Sequence, residues 1–156
     1  MRQQLSSRVV GLRWGKRIVA FEAAFGGFLG SGVHCTAVSN GTAALHMALL
    51  ALDIRPSDEV IIPALTFVAD ANVVRMVGAK PVLADCTSLS DWNVSAESIE
   101  RRITLRTKAV IVVHYAGFPC DMTAISTMCR RRGIRLIEDV AHAPGASWGA
   151  KLWHFW

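Results

Sequence analysis

A chain of 156 residues with an apolar fraction of 52% is long enough to bury a core of its own. Arg, Asp or Gly interrupts each apolar run before it reaches bilayer-spanning length, and the first 17 residues lack the apolar centre of a signal peptide, so the sequence reads as cytoplasmic with no membrane partner. The net charge of +5 comes in short clusters, Arg101 with Arg102 and Arg130 with Arg131 and Arg132, without interleaved aromatics; these read as solvated helix ends, not as a nucleic-acid surface. Cys35, Cys86, Cys120 and Cys129 have neither CxxC nor Cys/His spacing, which sets aside zinc and disulfide frameworks and leaves reduced, mostly buried thiols.

Apolar residues recurring at three and four predict an amphipathic helix over 16–29 in spite of Gly26 and Gly27. VHCTAVS (33–39) reads as a strand, GTAALHMALLAL (41–52) as a helix and DEVIIP (58–63) as a second strand entered from a turn at Pro56. A helix over 68–77, a strand at KPVLAD (80–85), a short helix over 96–103 and an apolar strand at KAVIVVHY (108–115) follow. Asp121 is placed to cap a helix running to Arg132, Gly133 to end it, and IRLIED (134–139) to form the next strand. Helices alternating with buried strands predict an α/β fold, a three-layer α/β/α arrangement on a mainly parallel sheet. No repeat, low-complexity stretch or linker divides the chain, so 1–156 is read as one domain or a piece of one.

Polar residues close several strands, which places ligand chemistry along one edge of the sheet. SNGTAALH (39–46) joins a strand end to a helix start with Gly41 and Thr42 in the first turn. Unbonded amides and the positive end of the helix dipole suit a phosphate there, although the same letters also describe an ordinary capped helix. In IEDVAHAPGA (137–146), Asp139 ends an apolar strand and His142 follows it. A carboxylate so placed suits a cationic partner such as a protonated pyridine nitrogen, or merely caps the next turn. Phe67, in PALTFVADAN (63–72), stands past a strand end where an aromatic either stacks on a flat ligand or joins the core. Neither GxGxxG nor GxxxxGK[ST] follows the first strand, which weakens a generic nucleotide-binding reading.

FEAAF, SNGTAALHMALLAL, SDEVIIPALTFVADAN, VGAKPVLAD, ITLRTKAVIVVHYAG, CDM and IEDVAHAPGA occur in that order, and as a set the sequence resembles the DegT/DnrJ/EryC1/StrS sugar aminotransferases. The resemblance implies the large-domain fold of fold-type I enzymes dependent on pyridoxal 5'-phosphate (PLP). It implies that Gly41 and Thr42 bind the PLP phosphate, Phe67 stacks on the ring, Asp139 pairs with the pyridine nitrogen, and His142 lies beside the cofactor's phenolic oxygen. Asp70 departs from the pattern, since relatives tend to carry a small or hydroxyl residue there, and an added acid opposes an anionic cofactor. The implied activity transfers an amino group, typically from glutamate, to a keto nucleotide-sugar, within a homodimer; the same family contains dehydratases in which another residue replaces the lysine.

Relatives continue past this sequence to the lysine that attaches PLP and to a small C-terminal domain. Lys16, Lys80, Lys108 and Lys151 do not match that lysine's context, so no catalytic lysine is assigned and the chain reads as an N-terminal part, a truncated enzyme or a weak PLP-binding remnant. Such a cut is expected to bare apolar faces and a sheet edge. Relatives read G-x-K-x-G-T-F-G where this sequence has GAKLWHFW. Codons TGG CAC TTT TGG for Trp-His-Phe-Trp, less the first T, give Gly-Thr-Phe-Gly, so a one-base insertion after Leu152 is expected. Sequencing the gene checks this: the other frame downstream is expected to encode the lysine and the small domain, and a frame that does not ends the idea.

Overall fold

The structure is a computed structural model and describes residues 15–148 with 151 and 152. The expectations for the N-terminal residues and for the frame change after Leu152 lie outside the described residues. Two compact units are distinguished, Met1–Val38 and Ser39–Trp156.

The first unit contains helix α1 (Lys16–Leu29), on which Phe21, Phe25 and Phe28 stack at centroid distances of 5.7 and 6.1 Å. Gly26 is needed here, because a Cβ would come within 3.0 Å of the Val33 carbonyl oxygen. The strand expected over 33–39 does not form. A strand exists through its ladder, and here the Ala37 amide donates instead to Glu22 Oε1 at 2.8 Å.

The second unit begins with α2 (Gly41–Ala51), followed by β1 (Glu59–Pro63), α3 (Ala69–Met76), β2 (Lys80–Ala84), α4 (Ala96–Glu100), β3 (Thr107–Val113), α5 (Met122–Arg132) and β4 (Arg135–Asp139). The four strands are parallel in the order β2-β1-β3-β4. Side chains alternate across such a sheet, and both faces are covered. Val60, Ile62, Ala109, Ile111 and Ile137 meet Leu45 and Leu49 of α2 and Ala69, Val73 and Val74 of α3. On the other face Ile61, Val110 and Val112 meet Ile99 of α4 and Ile125, Met128 and Cys129 of α5. The three-layer α/β/α arrangement with a parallel sheet is therefore present. A separate antiparallel pair, β5 (Ser147–Trp148) and β6 (Lys151–Leu152), follows.

The caps follow the sequence. Asn40 Oδ1 accepts from the Ala43 amide at 2.9 Å, and Asp121 Oδ1 from the Ala124 amide at 3.0 Å. Gly133 ends α5 at φ 67°, a left-handed conformation open to glycine at little cost. The strand expected to reach Tyr115 stops at Val113, because the Tyr115 amide leaves the ladder for Asn93 Oδ1 at 3.0 Å and a short 3-10 turn, Tyr115–Gly117, begins. The cysteines are free thiols, and burial pushes Cys120 up to about 12 and Cys129 to about 11. No described helix is long and apolar enough to cross a membrane.

Glu59 fastens the edge where the strands begin. Its carboxylate is only 2% exposed, accepts from Thr104 Oγ1 at 2.6 Å and Arg106 Nη2 at 2.7 Å, and pairs with Lys80 Nζ at 3.4 Å. The Thr104 hydroxyl first, then the two cations, hold its carboxyl below the usual range against the cost of burial. Glu59→Ala is expected to destabilise the unit by about 1–3 kcal/mol at pH 7, through loss of hydrogen bonds to a charged group. Because the folded-state pKa is depressed, that contribution is present above the ordinary glutamate value and is lost as pH falls through the folded one, so the difference between parent and variant should shrink in acid. Urea unfolding at several pH values measures both.

Candidate functional site

Chain connections decide which groups meet. In a parallel sheet all strands end at one edge, and β1 hands over at that edge to α3 through 64–68, the segment that carries Phe67. Helix α2 ends in a short turn leading into β1, and Leu52, Asp53 and Arg55 there share a cavity with Lys108 and Arg135 near the starts of β3 and β4. The end of α2 therefore lies where the strands begin, and its first turn lies where they end. Asp139 closes β4 two residues after Ile137, on the face covered by α2 and α3. Gly41, Thr42, Phe67 and Asp139 are thus brought to one edge and one face, and His142 follows β4 directly.

The first turn of α2 suits an anion. Asn40 satisfies the Ala43 amide with its side chain and the Ala44 amide with its carbonyl, at 2.9 and 3.2 Å. Among the described hydrogen bonds the amides of Gly41 and Thr42 make none, and the space beside the Gly41 Cα is open, so backbone donors, dipole and the Thr42 hydroxyl are all available. Phe67 is 70% exposed, a large apolar ring free to cover a flat ligand and not a core residue.

Asp139 is half-buried, and its Oδ1 accepts from the Ala141 amide at 2.9 Å, which fixes the carboxylate at the strand end. His142 is exposed. Its Nδ1 accepts from the Ala116 amide at 3.3 Å, so the ring proton of the neutral form resides on Nε2, which is left to donate. The Tyr115 ring stands edge-on between His142 and Trp92, at 5.6 and 5.5 Å. The site is an open shelf; a groove of about 580 Å³ lined by Trp92, Tyr115 and Phe118 lies on the far side of Tyr115.

Other side chains shape the surroundings, and the roles of Asn93 and Thr66 were not anticipated. Asn93, 6% exposed, ties the Tyr115 amide and the Phe118 carbonyl, at 3.0 and 2.9 Å, and so aims Tyr115 at His142. The fully buried His114 accepts at Nδ1 from the Cys120 amide at 3.1 Å and meets Glu138 Oε2 through Nε2 at 3.3 Å, so Glu138 serves the face opposite Asp139. Thr66 donates its hydroxyl to Asp70 Oδ2. Their spacing of four was the one signal in the sequence for that pair. Asp70 itself has no exposure, and its Oδ1 is the one buried side-chain nitrogen or oxygen among the described residues without a hydrogen-bond partner.

Comparison with known proteins identifies the family. The DegT/DnrJ/EryC1/StrS aminotransferase family profile matches residues 2–152. The chain belongs to that family. It is 47% identical over 137 residues to the GDP-perosamine synthase of Caulobacter vibrioides, an alignment covering 88% of this chain and 36% of that one. It superposes on the crystal structure of 3-amino-5-hydroxybenzoic acid synthase with a TM-score of 0.85 at 36% identity, covering 90% of this chain and 36% of the other. A Bacillus subtilis protein crystallised with bound pyridoxamine phosphate (PMP) gives a TM-score of 0.79 at 32% identity, covering 83% and 29%. The chain spans about a third of the length of the curated relatives it matches, 36% and 32%.

Burial raises the Asp70 carboxyl from 3.8 to about 6, against the Thr66 hydroxyl, and the negative charge of Asp139 adds to the rise. A raised carboxyl pKa costs stability once pH exceeds the unfolded value, and the cost is complete above the folded one. The rise from 3.8 to about 6 corresponds to about 3 kcal/mol at most between pH 4 and pH 8. Asp70→Asn is expected to abolish that part of the pH dependence, and unfolding curves of parent and variant across this range measure it.

Proposed function

We propose that this chain is the PLP-binding portion of an aminotransferase that moves an amino group, from glutamate, to a keto group of a nucleotide-linked sugar within a homodimer. One observation carries the reading: the unbonded amides in the first turn of α2 share an edge and a face of the sheet with Asp139. An anion-binding helix start and a carboxylate on one shelf, with an exposed aromatic between the strands and α3, match a flat cofactor bearing a phosphate at one end and a basic ring nitrogen at the other. The sugar substrate is taken from the similarity to GDP-perosamine synthase.

In this reading PLP supplies the electron sink that transamination requires. Gly41 and Thr42 hold the phosphate, with the glycine leaving room for close approach. Phe67 covers the ring and keeps water off it. Asp139, held by the Ala141 amide, would keep the ring nitrogen protonated, and His142, whose Nε2 is left to donate, would serve the phenolic oxygen.

A second reading, a non-catalytic remnant that holds PLP weakly, is favoured by the lysines of the sheet. Lys80 opens β2 and Lys108 stands at the start of β3, at the edge opposite the shelf. Neither is placed to bond the cofactor.

Titration with PLP, followed by absorbance and by borohydride trapping, separates these readings. Reversible binding without trapping is expected of this chain, with Thr42→Ala and Asp139→Asn each weakening it about tenfold, as loss of one charge-assisted hydrogen bond implies. Covalent trapping would instead assign a bonding lysine to this chain, and binding indifferent to both substitutions would overturn the site.

A further inference from the structure

The segment 64–68 carries Phe67 from β1 to α3, and its fastenings are few. The Ala64 amide donates to the Ala84 carbonyl at 2.8 Å, continuing the sheet one residue past Pro63, and the Asp70 amide donates to the Phe67 carbonyl at 3.2 Å. Val68, at the N-cap of α3, makes no side-chain cap bond. Between these points the one described side-chain tie is the Thr66 hydroxyl, which donates to Asp70 Oδ2. Asp70 is a fixed post, since it is fully buried and its neighbours on α3, Ala69, Val73 and Val74, are packed in the core. Thr66 and Asp70 therefore bracket Phe67 with two bonds, one between side chains and one from amide to carbonyl. The Phe67 ring is 70% exposed, so core packing does not orient it, and its direction follows from the backbone that these bonds hold. Asp70 Oδ1 has no partner, and a buried carboxyl oxygen without a donor costs stability, so a gain in stability does not account for the pair.

We propose that Asp70 is a positioning residue that acts through Phe67: by holding the Thr66 hydroxyl it fixes the backbone at Thr66 and Phe67, so that the exposed aromatic ring stands ready to cover a flat ligand on the shelf. The inference rests on the cofactor reading given above. Stacking depends on the offset and separation of the rings. A ring aimed beforehand by its backbone loses less freedom on binding than one that the ligand must order. The Thr66 hydroxyl needs an acceptor at residue 70, which an amide oxygen supplies as a carboxylate does and an aliphatic side chain does not. Position, not charge, is what the pair contributes to binding.

The test is a double-mutant cycle on the whole chain, read as affinity for PMP, which binds without a lysine. Phe67→Ala should weaken PMP about threefold to tenfold, the size of one aromatic contact. Asp70→Leu and Thr66→Val break the tie from its two ends. Each should weaken PMP about threefold while Phe67 is present and change nothing in the Phe67→Ala background, the non-additivity of groups that act through one another. Asp70→Asn and Thr66→Ser keep an acceptor and a donor and should restore the parent's affinity. Should Asp70→Leu fail to fold, Thr66→Val completes the cycle from the half-buried end. Losses from Asp70→Leu or Thr66→Val that are equal with and without Phe67 would overturn this proposal, as would a loss in Asp70→Asn as large as that in Asp70→Leu. In either case Thr42→Ala and Asp139→Asn still weakening PMP would leave the cofactor reading standing. Absence of PMP binding to the parent would overturn both.

Discussion

The second unit is organised around one constraint: a parallel sheet must be covered on both faces, because each strand is reached through a crossover that lays a helix on one face or the other. Strand β3 meets this with alternating small and branched apolar side chains. Ala109 and Ile111 go to one core, Val110 and Val112 to the other, and all four are fully buried. Parallelism has a chemical consequence as well. Every strand must end at the same edge, so residues far apart in sequence, Gly41 in α2, Phe67 before α3 and Asp139 at the end of β4, come to one shelf without any local signal linking them.

Charge is distributed between the two edges differently. Glu59 and Asp70 are both buried carboxylates, yet their pKa values move in opposite directions. Glu59 receives a hydroxyl and two cations whose own side chains remain mostly in water, so its ionised form is well solvated by the protein. Asp70 receives one hydroxyl and, among the described residues, no cation. The first arrangement fastens strands together where nothing else is asked of them. The second leaves one buried oxygen without a hydrogen-bond partner, and burial raises the carboxyl pKa.

Strands β1 to β4 and helices α1 to α5 were legible in the sequence within a few residues, because their apolar spacing, caps and terminal glycines agree with one another; Asp121, Gly133 and Asn40 act as their residue types require. The segment 33–39 shows where such reading fails. Its alternating pattern satisfies a strand's side chains but says nothing about a neighbour to bond, and in the first unit Glu22 takes the amide of Ala37. Tyr115 fails for a related reason. The apolar run continues through it, but Asn93, 22 residues away, captures its amide. The positions of Gly41 and Thr42 at a helix start and of Asp139 at a strand end were legible because caps and strand periodicity carry such boundaries locally. The linking of Tyr115 to His142 through a ring contact was not, since it depends on the conformation of the turn that follows β3.

The sequence alone determined the fold class and the family, because these follow from periodicity, from capping chemistry and from motifs whose order is itself informative. Only the tertiary structure decided which groups are neighbours. It put Asp139 on the α2–α3 face and Glu138 on the other, a consequence of the two-residue period of a strand once one face has been assigned. It also showed Asp70, an added acid in the sequence, to be buried with one oxygen unpartnered, because burial depends on what packs over a residue, and a linear sequence does not carry that information.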